Sequence, residues 1–335
     1  MSDESNAHTM QCLEVWGGNT SATNAVGMAG LDAWVYARPF EGGSGGDLYY
    51  VSSCATGRIV RVLVADVSGH GAAVSDTAVR LRGLMRKYVN YFDQRKFVSE
   101  LNRSFVTSET TGRFATAVVA SVWTPTNELV LSRAGHPRPF IRRAGSGGWE
   151  VVPDGEDARR ASAKTANARG SLDAASQGAG AGDERPADLP LGVMEPVRYN
   201  EQRLKMGPDD VALLYTDALV EIKDANGRII GEQGLLGLLD AIDPQPHETL
   251  LDRFAASLSE RFGAIDDDLT MLLLRPNERK PRMTPLSGVA AGARIARETL
   301  RSLRRPGEVP VPEVNARNIG GAFIDGMNRD AKPRE

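Results

Sequence analysis

Ile59-Val60-Arg61-Val62-Leu63-Val64-Ala65-Asp66-Val67-Ser68-Gly69-His70-Gly71 decides the fold. The apolar, β-branched run from Ile59 to Ala65 reads as a strand, and Asp66 ends it just before a glycine turn. Beyond that turn, Val74, Ala78, Leu81, Met85 and Val89 fall three or four residues apart, the spacing of an amphipathic helix over Ala72–Val89. Upstream, the runs containing Trp34 and Tyr36, and then Leu48–Ser53, add two strands separated by glycine turns. Downstream, Phe97, Val98, Leu101 and Phe105 predict a second helix, followed by strands at Ala115–Trp123, Leu129–Ser132 and Pro139–Arg142. A later set repeats the theme with strands at Val197–Leu204, Val211–Tyr215 and Leu269–Leu274, and helices at Leu235–Ile242 and Thr249–Phe262. Strand sets bracketing helix pairs predict an α+β fold, a four-layer αββα sandwich in which two antiparallel sheets are flanked by helices.

The organisation around this domain follows from composition. Residues 1–30 are rich in Ser, Asn, Gly and Thr and predict a flexible N-terminal extension, so the domain is expected over residues 31–276. Ala144–Ala187 has almost no large apolar side chain and cannot bury enough surface to offset the entropy of ordering, so it predicts a low-complexity, disordered insertion. Residues 277–335 form a basic tail in which Ala290–Leu303 has helical character. Arg294, Arg297, Arg301, Arg304 and Arg305 there read first as a solvated helix face and second as a contact for a regulatory partner.

A formal net charge of -3 gives no broad electrostatic basis for binding nucleic acid. Cys12 and Cys54 are the only cysteines, which removes a disulfide framework and a cysteine zinc site and points to a reducing, cytoplasmic setting. No apolar run reaches the roughly 18 to 20 residues of a membrane-spanning helix, so no membrane association is expected.

Four acidic sites fall at strand ends. Asp47 follows Gly45-Gly46, Asp66 closes one apolar run, Asp217 closes another, and Asp267-Asp268 opens the last strand. For any one of them, capping a turn is the commoner role. Together, carboxylates gathered on one sheet rim repel unless neutralised, and an all-oxygen donor set suits two hard cations, Mn²⁺ or Mg²⁺.

Gly45-Gly46-Asp47-Leu48-Tyr49, Asp66-Val67-Ser68-Gly69-His70-Gly71, Ala134-Gly135-His136-Pro137, Leu189-Pro190-Leu191-Gly192, Leu214-Tyr215-Thr216-Asp217 with Glu221, and Asp267-Asp268-Leu269-Thr270 occur in that order. Together they resemble the SpoIIE/RsbU branch of the metal-dependent, type-2C (PPM) serine/threonine protein phosphatases. The resemblance spans about Leu31 to Arg275 apart from the insertion. It implies that Asp66 bridges two metal ions, that the Val67 backbone carbonyl ligates one, and that Asp217 and Asp267 hold the other. Asp47 would support the site directly or through water, and Asp268, like Asp266, is a further candidate at the last motif. Asp66 and Asp217 would then be the catalytic pair, acting through metal-activated water that attacks phosphorus in line without a covalent enzyme intermediate. The implied substrate is a phosphoprotein, with an anti-anti-sigma-factor-like protein of a partner-switching pathway as the leading expectation.

Other readings compete. Gly42-Gly43-Ser44-Gly45-Gly46 matches Gly-x-Ser-x-Gly, but Ser44 runs into a β-like segment where a nucleophile elbow needs a strand-to-helix turn. His136 and His70 read as turn residues bonded to neighbouring backbone rather than as bases, and Arg38 as a surface arginine rather than a phosphate ligand. Two departures from the family pattern, Ala218 where glycine is usual and Tyr50 where aspartate is common, raise the alternative of a pseudophosphatase that serves as a binding or signalling module.

Overall fold

The computed structural model describes residues 8–10, 14–40, 42–54, 57–69, 72–89, 91, 93–109, 112–154 and 186–279. The first sheet has six strands: β2 (Val15–Thr20), β5 (Ser44–Ser53), β6 (Ile59–Val67), β7 (Ala115–Trp123), β8 (Glu128–Ala134) and β11 (Gln202–Lys205), in the order β11-β8-β7-β6-β5-β2. The second has seven: β1 (His8–Thr9), β3 (Ala22–Met28), β4 (Leu31–Arg38), β9 (Phe140–Arg142), β10 (Trp149–Val151), β12 (Val211–Tyr215) and β13 (Leu269–Pro276), in the order β1-β3-β4-β13-β12-β9-β10. Every strand pairing is antiparallel except the short parallel one between β1 and β3.

Alternation along β6 explains the layers. Val60, Val62 and Val64 enter a core shared with Val35, Leu214 and Leu272 of the other sheet. Leu63, Ala65 and Val67 point the opposite way, into a core with α1 (Ala72–Lys87) and α2 (Gln94–Ser108). Likewise Leu213, Tyr215 and Met271 pack beneath α3 (Gly231–Asp240) and α4 (Leu250–Phe262). Burying one such Val or Leu contributes about 1.5–3 kcal/mol, which is why the central strands are apolar on both faces. The result is the αββα sandwich expected from the sequence. Helix α2 starts where Asp93 accepts a hydrogen bond from the Lys96 N–H at 2.9 Å, a side-chain N-cap.

Three boundaries differ from expectation. Val15–Met28 is not a loose extension, because β2 pairs with β5 and β3 with β4. Gly17 makes that edge possible, since a Cβ there would overlap the Tyr49 carbonyl. The insertion also begins later than Ala144, because Trp149 is buried and Trp149–Val151 extends the second sheet beside β9. Its remainder, residues 155–185, lies outside the described residues, as does the tail from Lys280 with the expected helix at Ala290–Leu303. Finally, of the expected Val197–Leu204 only Gln202–Leu204 pairs as a strand, which runs on to Lys205. Before it, the backbone N–H of Asn200 donates to Asp188 Oδ1 at 2.7 Å instead.

Candidate active site

The same alternation aims the acidic residues. Asp47 shares the inter-sheet face of β5 with Tyr49 and Val51, and Asp66 shares that of β6 with Val62 and Val64. The register sets Asp47 directly opposite Asp66. From the other sheet, Thr216 follows β12 on the face of Ala212 and Leu214, and Thr270 lies on β13 on the face of Leu272 and Leu274. Thr216 Oγ1 donates to Asp47 Oδ2 at 2.7 Å and accepts from the Thr270 N–H at 3.0 Å. A hydrogen bond thus crosses between the sheets at the rim where the chain continues into Asp217. Gly46 keeps that rim tight, because a Cβ on it would lie 3.0 Å from the Val67 carbonyl oxygen and 3.3 Å from Asp66 Oδ1.

The electrostatics follow from crowding. Asp66 is pushed up to about 7, first by burial and then by Asp217, Asp267, Asp268 and Glu221. Burial also raises Asp217, with Glu221 and Asp267 adding to it. Asp47, only 6% exposed, is raised well above the usual carboxylate range by burial, partly offset by the Thr216 hydrogen bond, with Asp66 and Asp268 pushing it further up. Five carboxylates therefore bear on Asp66 or Asp47, and opposite charge would relieve them all. Among the described residues, however, no three Asp, Glu, His or Cys side chains close into a coordination shell. The two observations measure different things: like charges interact over several ångströms, whereas ligands of one ion must converge within about 2–2.5 Å of it. Oxygen donors crowded at one buried rim fit hard divalent cations in chemistry and location, in an arrangement splayed wider than a metal shell.

Asp267 and Asp268 differ. The Asp268 carboxylate accepts the backbone N–H of Phe40 at 2.8 Å and of Gly46 at 2.5 Å, and a Cβ on Gly45 would overlap it. It clamps the loop leading into Asp47. Asp267 Oδ1 accepts the Asp268 N–H at 2.8 Å. Asp217 opens a 3₁₀ turn, Asp217–Leu219, whose carbonyl accepts the Glu221 N–H at 3.0 Å, so Glu221 lies one turn from Asp217.

The remaining candidates separate. Ala218 is buried and is not among the described residues with positive φ, so its Cβ meets no left-handed strain. Tyr50 packs with Leu48 and Leu63 on the helix side of β5, facing away from Asp47. Ser44 opens β5 opposite Thr20, in strand geometry rather than an elbow. Arg38 Nη2 donates to the Ile265 carbonyl at 3.3 Å. His70 lies outside the described residues. His136, 2% exposed, bonds Thr116 and the Tyr215 carbonyl, and burial lowers its pKa to about 3, so its ring is neutral. A separate small cleft, lined by Leu131, Arg133, Asp154, Asp188, Asn200 and Gln202, includes none of the acidic rim. Thr216 and Thr270 stood inside quoted motifs, and period-two alternation alone could have placed them on the site face.

A family model described as Stage II sporulation protein E (SpoIIE) matches residues 56–158 and 175–277, more than half of the chain. The chain belongs to the SpoIIE family. The interruption in the match between residues 158 and 175 falls inside the low-complexity insertion. Structures similar to this SpoIIE-family chain include the RsbU and RsbW domains of a Mycobacterium tuberculosis protein, at 19% identity and TM-score 0.58 over 82% of this chain and 69% of that one. The SiaA-PP2C domain of Pseudomonas aeruginosa aligns at 16% identity and TM-score 0.53 over 72% of this chain and 85% of that one. The PP2C phosphatase domain of SpoIIE from Bacillus subtilis, with a fragment of its regulatory domain, aligns at 15% identity and TM-score 0.51 over 79% and 64%. At these identities the likenesses carry the fold alone. A comparison with curated protein sequences gives no significant match. The SpoIIE family and its structural neighbours are PPM-type serine/threonine phosphatases, the SpoIIE/RsbU-type branch that the six motifs resemble.

Proposed function

We propose that this chain is a metal-dependent protein phosphatase that hydrolyses phosphoserine or phosphothreonine. The observation that carries the reading is the meeting of both sheets' acidic strand ends at one rim, where Asp47 opposes Asp66 and Thr216 reaches Asp47 from the other sheet. In this reading Asp66, the Val67 carbonyl, Asp217 and Asp267 would hold the two cations, with Asp66 serving both. Asp47, held by the Thr216 hydroxyl, would support the site from beside Asp66. Two Mn²⁺ or Mg²⁺ ions there would neutralise the phosphoryl oxygens and acidify the attacking water. Asp268 serves by holding the Phe40–Gly46 loop, and the turn at Gly69, φ 108°, lets the backbone bend away from Val67 toward α1. No serine or cysteine nucleophile is needed.

The catalytic unit in this proposal runs from Val15 to Pro276. Its substrate is a phosphoprotein of a partner-switching pathway, with an anti-anti-sigma-factor-like protein as the first to test and the basic tail as a regulatory contact. The reading places the enzyme in the cytoplasm; among the described residues no helix is long and apolar enough to cross a membrane.

The test is hydrolysis of p-nitrophenyl phosphate and of a phosphorylated anti-anti-sigma-factor-like protein across Mn²⁺ and Mg²⁺ titrations. Activity should vanish on chelation and in the Asp66→Asn/Asp217→Asn double variant. Turnover surviving both would sink the mechanism. The pseudophosphatase alternative predicts a folded protein that binds the phosphoprotein without turning it over. Its main motive weakens because Ala218 sits without backbone strain.

A further inference from the structure

We propose that His136 is a positioning residue that fixes the distance between the strand ends bearing Asp66 and Asp217 and thereby tunes divalent-cation binding. The inference rests on the phosphatase reading above and assigns a role to a side chain which that reading leaves unused. Thr116 stands directly opposite Asp66 in the β6–β7 register. Its Oγ1 lies 2.9 Å from His136 Nδ1, and His136 Nε2 lies 2.8 Å from the Tyr215 carbonyl, two residues before Asp217. A carbonyl only accepts, so Nε2 carries the proton and Nδ1 accepts from the Thr116 hydroxyl. Both nitrogens are thus occupied, which leaves the ring no capacity as a base.

The contacts close a ring. From Asp66 it passes to its neighbour Thr116, through His136 to Tyr215, along the chain to Thr216, through the 2.7 Å bond to Asp47, and back to Asp66 by strand register. Only two links in this ring cross between the sheets, and His136 is one of them. The residue is itself held firmly. Gly135, at φ 66°, has a Cβ position that would overlap Pro190, and Arg133 Nη1 donates to the His136 carbonyl at 2.6 Å. An imidazole held from both sides is a spacer of fixed length.

The experiment measures Mn²⁺ affinity by calorimetry, together with the Mn²⁺-induced shift in Tm, for wild type, His136→Leu, His136→Gln and Thr116→Val. Circular dichroism establishes the folded fraction of each. His136→Leu should weaken Mn²⁺ binding by roughly tenfold or more, the range seen when partners behind metal ligands are removed. Thr116→Val should weaken it less, and His136→Gln, which keeps a donor for the Tyr215 carbonyl, should recover part of the loss. If His136→Leu does not fold, Thr116→Val decides. Folded variants that bind Mn²⁺ as wild type does, with only Tm lowered, would overturn this inference and leave the phosphatase reading standing. A wild-type protein that binds no Mn²⁺ would overturn both.

Discussion

Arg61 and Asp66 stand near opposite ends of β6 and meet opposite fates. Arg61 is 0% exposed, yet most of its guanidinium is served from within: Nε donates to the Val89 carbonyl at 3.2 Å and Nη1 to Gln94 Oε1 at 3.2 Å and to Ser121, the group lies 4.5 Å from the centre of the Phe97 ring, and Nη2 alone has no hydrogen-bond partner among the described residues. Burial lowers its pKa to about 10, with Cys54, Tyr50 and Asp93 pulling the other way, so it stays charged at neutral pH. Asp66 has the reverse surroundings. Its neighbours at the rim are further carboxylates, and its pKa climbs to about 7. One buried charge draws hydrogen bonds and a ring face from the protein around it, and the other calls for something the protein does not supply. A charge met internally braces the fold, whereas one left uncompensated marks a place where a ligand binds.

Breaking the internal end should have the largest effect on stability. Arg61→Ala removes a buried side chain and strands the Val89 carbonyl, and should cost about 3–5 kcal/mol in urea denaturation. Arg61→Met, which keeps the apolar stem under Phe97, should lose clearly less. Equal losses for the two would mean that the guanidinium bonds, rather than the packing, hold α1 and α2 to the sheet.

At the other end the sign reverses. Above its unfolded pKa of 3.8 and below about 7, folded Asp66 keeps a proton that the unfolded chain has released. Stability without metal therefore falls as pH rises through that window. Asp66→Asn should abolish turnover yet stabilise the metal-free protein by about 1–3 kcal/mol at pH 8, with a flatter pH dependence. Added Mn²⁺ should raise the Tm of wild type but not of the variant. A metal-free Asp66→Asn protein less stable than wild type would remove the crowding argument.

The sequence made one of these two charges legible and hid the other. Asp66 is followed by glycines and stands in a motif, so the residues beside it in the chain already signal the role proposed for it. Arg61, inside an apolar run, carries no local sign of whether it faces water or core. Only the neighbouring β7 and the helices decide that, and they bring Gln94 and Ser121 from distant parts of the chain. The strand and helix periods of the central elements were legible because burial on both faces leaves few polar interruptions. Val15–Met28 was not, since Gly17, Gly18, Asn19 and Asn24 have the composition of a loop, and its order comes from pairing with β5 and β4. The motifs named the acidic residues, but the split between Asp267 and Asp268 needed the backbone N–H groups of Phe40 and Gly46 in place.

His136 provides a smaller effect that opposes Asp66. Burial, joined by Arg133 and resisted by the Tyr215 hydrogen bond, lowers its pKa from 6.5 to about 3. Below about 6.5 the unfolded chain takes up a proton that the folded ring refuses, so stability falls as pH drops through that window. His136→Gln should flatten this limb, by on the order of 1 kcal/mol between pH 7 and 6. The two slopes overlap near pH 4 to 6.5 with opposite sign, and chemical denaturation of each variant across pH separates them. An unchanged slope in His136→Gln would place the acid sensitivity elsewhere.

The smallest effect is expected at Ala218, where the chain departs from the family pattern beside a metal-ligand candidate. If glycine were needed there for a left-handed turn, alanine would strain Asp217, and Ala218→Gly would raise Mn²⁺ affinity and turnover sharply. The structure gives another reason for the position. Ala218 lies inside a 3₁₀ turn, its methyl group is buried with Leu219 and Tyr215, and its φ is not positive. Glycine would then remove a packed methyl and loosen the backbone, destabilising by about 0.5–1 kcal/mol. The Mn²⁺ concentration for half-maximal turnover should hardly move, because the Asp217 backbone is held by its carbonyl's bonds from the Val220 and Glu221 N–H groups. A Mn²⁺ titration of Ala218→Gly activity, read beside its Tm, decides the matter: a slight fall in Tm with unchanged half-saturation leaves the rim built as described, and a large gain in turnover means that alanine had been holding Asp217 away from its cation.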